Sequence, residues 1–266
     1  MFYNCLPFYN ELDLLEVRLH TMSKYVDKFI ICEMNTTHSS NDKPFYLENS
    51  KERFKDFHSK IIHLKINSIR SENAWENENY QRDIIKKWLD ENCQDEDLII
   101  VQDADEILSE NFMDKINGLD LSLPHITELD FYRYYINAEI VGAGTTWSSG
   151  PIVKYKFLKD NPHITLTGLR NLHPRLRILK NVINNCGWHF TFLGGAEAIS
   201  EKIKAYAHQE SNNDFITNIE RLTNALKNNQ DACNPNGPPF RKIELTSEKF
   251  PQFILNNKSK FAKYIL

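Results

Sequence analysis

The chain has 266 residues, 41% of them hydrophobic and 26% charged, a balance that allows a sizeable buried core and excludes a disordered or fibrous chain. Thirty-two basic against 36 acidic side chains leave a formal charge of −4, the wrong sign for general attraction to a phosphate backbone, so nucleic acid is excluded as the first choice of partner. No stretch approaches the roughly 18 apolar residues of a membrane span, and Met1 to Asp13 lacks the basic start of a signal peptide, so the expectation is a soluble, cytoplasmic protein with at most peripheral contact at the inner membrane face.

The first half alternates short apolar strands with amphipathic helices, the pattern of a mostly parallel sheet with helices on both faces. Residues 2–8 read as the first strand. Leu12, Leu15, Leu19 and Met22 recur at helical spacing and make residues 12–22 the first crossover helix. Residues 28–34 and 60–66 read as buried strands, with a helix over 48–57 between them. A helix over 78–92 turns Ile84, Ile85, Trp88 and Leu89 to the sheet, and residues 97–102 enter the core as the next strand. From about Ile126 the texture becomes aromatic, and residues 131–135, 152–157 and 186–192 are expected as further, partly antiparallel strands. Residues 196–208 and 215–228 are expected helices, and 234–239, rich in Asn, Pro and Gly, a loop. The expected organisation is one α/β domain over residues 1–230, with a linker loop and helical tail, 231–266, lying on it.

Cys5, Cys32, Cys93, Cys186 and Cys233 form no Cys-x-x-Cys pair, so reduced thiols are the simplest reading. Arg170, Arg175, Arg177 and Lys180 cluster in one segment and read as a solvated basic face.

Asp103-Ala104-Asp105-Glu106 closes the strand over 97–102. Ligands of open α/β sheets bind outside the carboxyl ends of strands, so the location counts as much as the residue types. Asp95-Glu96-Asp97 has the same spacing but lies in a polar loop and reads as solvated surface. Carboxylates between apolar flanks need a cation or donors, and a divalent ion, Mn²⁺ or Mg²⁺, is the expected compensation. The competing reading is an acidic cap on the following helix. Such an ion would neutralise the diphosphate that leaves a sugar nucleotide. A nuclease or phosphatase would use the same ions but assemble more carboxylates.

The run Asn10-Glu11-Leu12-Asp13-Leu14-Leu15-Glu16-Val17-Arg18-Leu19, then Val26 to Glu33, Asn35-Thr36-Thr37, Asp103-Ala104-Asp105-Glu106-Ile107, Gly187-Trp188-His189 and Phe250-Pro251-Gln252-Phe253-Ile254-Leu255, resembles glycosyltransferase family 17 in order across nearly the whole chain. That is the family of the β-1,4-mannosyl-glycoprotein β-1,4-N-acetylglucosaminyltransferase. The resemblance implies a GT-A type nucleotide-diphospho-sugar transferase fold, an inverting transfer, a UDP-sugar donor with UDP-GlcNAc foremost, and dependence on Mn²⁺ or a similar ion. It implies a glycan or glycolipid acceptor. Animal relatives carry an N-terminal membrane anchor and act in the Golgi, whereas this sequence opens at its first strand, so a surface glycan made in the cytoplasm is expected rather than a bisected N-glycan.

Asn10 and Glu11, after the first strand, are expected to hold the nucleotide, although Glu11 also suits a helix's first turn. Glu33, ending the second strand, is expected to accept from ribose or uracil. Arg82 is expected to contact the diphosphate or brace the aspartates; the alternative is an exposed helix-face arginine. His189 is the expected third metal ligand beside Asp103 and Asp105. Trp147, read as a loop residue, is expected to stack on a sugar, with Trp75 a weaker choice. For the base that takes the acceptor's proton, Glu197 and Glu106 are the candidates, with Asp130 behind them. The rival functions are a sugar nucleotidyltransferase, which would show a Gly-rich basic loop where Asn10-Glu11-Leu12-Asp13 stands, and a non-catalytic glycan-binding module, against which intact Asp103, Asp105 and His189 weigh.

Overall fold

The computed structural model describes residues 1–67, 71–142 and 144–266, with the side chain of residue 117 left aside. In chain order the first half runs β1 (Phe2–Phe8), α1 (Leu12–Met22), β2 (Lys28–Met34), α2 (Tyr46–Asn49), β3 (Ile61–Ile66), α3 (Ala74–Asn92), β4 (Leu98–Val101), β5 (Glu106–Leu108) and α4 (Glu110–Met113). The second half runs β6 (His125–Arg133), β7 (Ala138–Ile140), β8 (Thr146–Lys154), α5 (Tyr155–Asp160), α6 (Leu166–Arg170), α7 (His173–Ile178), β9 (Val182–Ile183), β10 (Gly187–Thr191), α8 (Gly195–Ala205), α9 (Ile219–Lys227), β11 (Phe240–Lys242) and α10 (Gln252–Asn256). Short 3₁₀ turns follow α2, α4, α8 and α10.

One sheet takes every strand among the described residues, in the order β11-β7-β6-β8-β4-β1-β2-β3, with β10 and β9 on β6 and β5 on β10. The β3-β2-β1-β4 half is parallel. β8 then runs antiparallel between β4 and β6. Alternation along β1 divides the layers: Phe2, Leu6 and Phe8 join α1 in one apolar cluster, while Tyr3 and Cys5 join Ile85 and Leu89 of α3 in another. A third cluster joins α8 and α9 to β7 and β11. β5 closes tightly on β10 because Gly187 has no side chain: a Cβ there would lie 2.0 Å from the Ile107 carbonyl oxygen, and its φ of +151° is one that side chains rarely adopt.

Several expected boundaries move for identifiable reasons. α3 begins four residues before the expected start, at Ala74, because Asn73 Oδ1 accepts the Trp75 amide and caps it. The expected helix over 48–57 splits into α2 and a 3₁₀ turn, Lys51–Phe57. The expected strand over 152–157 is a correction. β8 ends at Lys154, and Tyr155 and Leu158, one helical turn apart, bury the same face of α5. The expected helical tail within 231–266 is shorter than a continuous helix: α10 stops where the Asn257 side chain donates to the Phe253 carbonyl at 2.8 Å, and one 3₁₀ turn follows. Phe250, Ile254 and Phe261 of this segment are nonetheless buried in the cluster that contains Leu15 and Phe8. The five cysteines are free thiols, with Cys5, Cys32 and Cys186 buried.

Candidate active site

The chain leaves β4 at Val101, turns through Gln102 to Asp105 and re-enters the sheet as β5. Two arginines shape that turn. Arg18, fully buried on α1, donates to Asn4 Oδ1 at 2.6 Å, to the Asp103 carbonyl at 2.6 Å and to the Glu106 carbonyl. Burial pulls its guanidinium down to about 10, against the opposing pull of Glu106 and Asp105. Arg170, on α6, donates from Nη1 to the Val101 carbonyl and to Glu106 Oε2, and from Nη2 to Asp103 Oδ2 and Glu106 Oε1, at 2.9 to 3.0 Å. Gly150 on β8 makes room for this, since a Cβ there would sit 1.8 Å from the Val101 oxygen and 3.2 Å from Arg170 Nη1.

The three acids of the turn have different company. Asp103 accepts Arg82 Nη2 at 2.7 Å on Oδ1 and Arg170 on Oδ2. Burial opposes its ionisation, but Arg170 and Arg82 hold its carboxyl well below the usual range. Asp105 takes Lys202 Nζ at 2.8 Å on Oδ2 and has His189 Nε2 3.3 Å from Oδ1. Burial again opposes the charge, and Lys202 and His189 overcome it, so this carboxyl too lies well below its ordinary value. Glu106 is completely buried and accepts Trp147 Nε1 at 2.6 Å, Ser149 Oγ at 2.7 Å and the Asp103 amide at 3.0 Å besides Arg170.

Beside this turn opens a cleft of about 490 Å³. Its wall brings together Glu11, Arg82, Asp103, Asp105, Trp147 and His189 from five separate parts of the sequence. Trp147 and His189 are the aromatic rings of the wall on this side, and Phe131, which does not line the cleft, stacks on Trp147 at 5.5 Å and on His189 at 5.1 Å. Lys202 reaches the wall from α8, and Trp75 and His208, in contact with each other at 4.4 Å, line it too.

The profile of glycosyltransferase family 17 matches residues 1–265. The chain belongs to glycosyltransferase family 17. The family brings with it a sugar-nucleotide donor and a glycan acceptor, and with the parallel β3-β2-β1-β4 order and the acidic turn at the end of β4 it places this chain in the GT-A type of α/β fold. No curated protein matches the sequence of this glycosyltransferase. Among solved structures it is similar to the inositol-1-phosphate CTP transferase of T. maritima (7% identity, TM-score 0.42, covering 68% of this chain and 84% of that one). It is also similar to a putative glucose-1-phosphate thymidylyltransferase of Bacillus anthracis (6%, 0.40, 70% and 86%) and to a glycosyltransferase involved in glycosylation of the major capsid of PBCV-1 (11%, 0.34, 70% and 81%).

For this family-17 chain the expected triad of Asp103, Asp105 and His189 is not assembled as a ligand cluster: among the described residues no group of three His, Cys, Asp or Glu stands close enough to hold an ion. Asp103 is the corrected member, because each of its oxygens faces an arginine. Asp105 and His189 do suit a divalent ion. They are adjacent, they line the cleft, and His189 Nδ1 is buried without a partner. Two protein donors are also enough where substrate phosphates complete the shell.

Four further expectations are corrected by position. Asn10 donates its side-chain amide to Glu201 at 3.4 Å and lies off the cleft wall. Glu33 is enclosed, accepting Lys43, His63 and the Tyr46 and Leu47 amides at the start of α2, so no oxygen faces a nucleotide. Glu106 braces the turn from behind. Glu197 is exposed on the first turn of α8, outside the cleft wall. Trp147 belongs to β8 rather than to a loop. The sequence reading missed Arg18, Arg170 and Lys202. Arg18 carried a signal, since it continues the stripe Leu14, Arg18, Met22 on the buried face of α1, and a charge on such a stripe needs a buried partner. Arg170 was read as solvated because α6, a single turn, gives no periodicity to read.

Proposed function

We propose that this chain transfers a sugar, GlcNAc foremost, from a UDP-sugar to a hydroxyl of a glycan or glycolipid, with inversion at the anomeric carbon and with Mn²⁺ or Mg²⁺ as cofactor. The observation that carries the reading is the paired carboxylate turn at the end of β4 on the wall of a cleft that also holds Arg82 and Lys202. UDP, GlcNAc and inversion rest on the family. Asp105 and His189 would hold the ion, whose chemistry there is Lewis-acid neutralisation of the diphosphate. Arg82 and Arg170 fix Asp103 so that a carboxylate edge meets a ribose hydroxyl without reorganising. The ammonium of Lys202 and the guanidinium of Arg82 face the charge that develops as the bond to the diphosphate breaks. Trp147, on the cleft wall and stacked on Phe131, offers an aromatic face to a sugar ring. No helix among the described residues is long and apolar enough to cross a membrane.

The test is calorimetry of UDP with and without Mn²⁺, followed by a screen of nucleotide sugars read by UDP release. Micromolar, Mn²⁺-enhanced UDP binding and turnover of one UDP-sugar are expected. Absent UDP binding, or equal binding of every nucleoside diphosphate, contradicts the reading.

A further inference from the structure

His208 and Glu210 lie just beyond α8, and His208 lines the same cleft as Asp103 and Asp105. The imidazole Nδ1 stands 2.7 Å from Glu210 Oε1. An ionised carboxylate only accepts, so Nδ1 carries a proton, and in the neutral ring the lone pair is then on Nε2. Trp75 packs edge-on against the ring at 4.4 Å and 80°, and Tyr206 packs at 5.4 Å, so the imidazole is held in place by aromatic neighbours. The side chain is 52% exposed, enough to pass a proton on to water.

Each carboxylate of the cleft wall already accepts at least one hydrogen bond. Asp103 and Asp105 are held by Arg82, Arg170 and Lys202. Glu11 Oε2 accepts the Tyr9 and Asn10 amides, and Glu78 accepts Arg82. His38 Nε2 is bonded to Gln81 Oε1 at 2.8 Å, and His189 Nε2 faces Asp105. Among the described residues, His189 Nδ1 of the wall also lacks a partner but is buried, whereas His208 Nε2 lacks one on a side chain that is half exposed.

We propose that His208, oriented by Glu210, is the catalytic base of the transfer, an assignment that rests on the glycosyltransferase reading above. The acceptor oxygen forms its bond to the anomeric carbon while the bond from that carbon to the β-phosphate oxygen breaks, its electron pair leaving with the diphosphate. The hydroxyl proton moves to His208 Nε2, and the imidazolium is stabilised by Glu210 until the proton passes to solvent.

The experiment compares wild type with His208→Ala, His208→Gln and Glu210→Gln in transfer kinetics and UDP calorimetry. The expected result is that both His208 variants lose about 10²- to 10⁴-fold in kcat while UDP affinity stays within about twofold, the range for a lost general base. Added imidazole restores part of the His208→Ala rate, and Glu210→Gln loses at least about tenfold. A His208→Ala rate within about threefold of wild type overturns the assignment. So does a fall in UDP affinity that matches the fall in turnover, which would make His208 a nucleotide clamp. A wild type that turns over no donor overturns the transferase reading itself, and the base with it.

Discussion

At Asp105 a buried carboxylate is balanced by Lys202 at 2.8 Å and His189 at 3.3 Å, all at the rim of a cleft. Asp105→Ala should therefore remove transfer by at least about 10²-fold, the scale of losing a preorganised charge, while the fold survives because Lys202 can turn to solvent. Far-UV circular dichroism and turnover measured together check this, and near-normal turnover would contradict the role. Lys202 and the proposed ion contend for the same oxygens. Lys202→Met should then raise Mn²⁺ affinity of the substrate-free protein roughly tenfold, the scale of removing one nearby like charge, and a calorimetric titration indistinguishable from wild type would contradict the contest. At this scale the sequence disclosed the acids better than their partners. Asp103, Asp105, Arg82 and His189 stand out because charged residues follow apolar strands or lie within a recognisable helix. Lys202 pairs with Asp105 across 97 positions, and nothing local encodes that meeting.

Elements set how rigidly the turn is held. β4, β8 and α6 meet where Arg170 spans Val101, Asp103 and Glu106, and Gly150 is the gap that admits the guanidinium. Arg170→Met would leave Glu106 buried without its counter-charge, and breaking a buried pair in this way costs about 3–5 kcal/mol. Gly150→Ala should act through the same joint, forcing β8 from β4 and displacing Arg170, at about 1–3 kcal/mol or more. Denaturant titrations of the two single variants and of the double variant check the shared cause: sub-additive losses are expected, and strictly additive ones would separate the sites. The parallel half of the sheet was legible because buried parallel strands read as continuous apolar runs, and β1, α1 and β2 fall on the expected residues. The second half was less so. β8 starts at Thr146 amid polar residues, and α5 to α7 are each only five or six residues long, too short for helical periodicity to show.

On the scale of the whole molecule, the segment after residue 246 returns to the first helix. Tyr264 donates to Asp13 Oδ2 at 2.6 Å, Lys263 pairs with Asp13 at 3.1 Å, and Lys260 donates to Glu16. Phe250, Ile254 and Phe261 are buried beneath those contacts, each such side chain contributing about 1.5–3 kcal/mol. We therefore expect residues 231–266 to melt with residues 1–230 in one calorimetric transition, and two separated transitions would contradict this. Acid should loosen the same joint. Burial raises the Asp13 carboxyl, but Tyr264, Arg53 and Lys263 bring it down to about 2. A carboxylate whose folded pKa is depressed contributes stability that is complete above its ordinary value near 3.8 and is lost as the pH falls through the folded one. Asp13→Asn removes that contribution at every pH. The gap in melting temperature between wild type and Asp13→Asn should thus be widest above about pH 4 and narrow toward pH 2, as protonation makes the two side chains alike. A gap that stays constant across that window would mean that the tail is held by its apolar contacts alone, with no electrostatic share from Asp13.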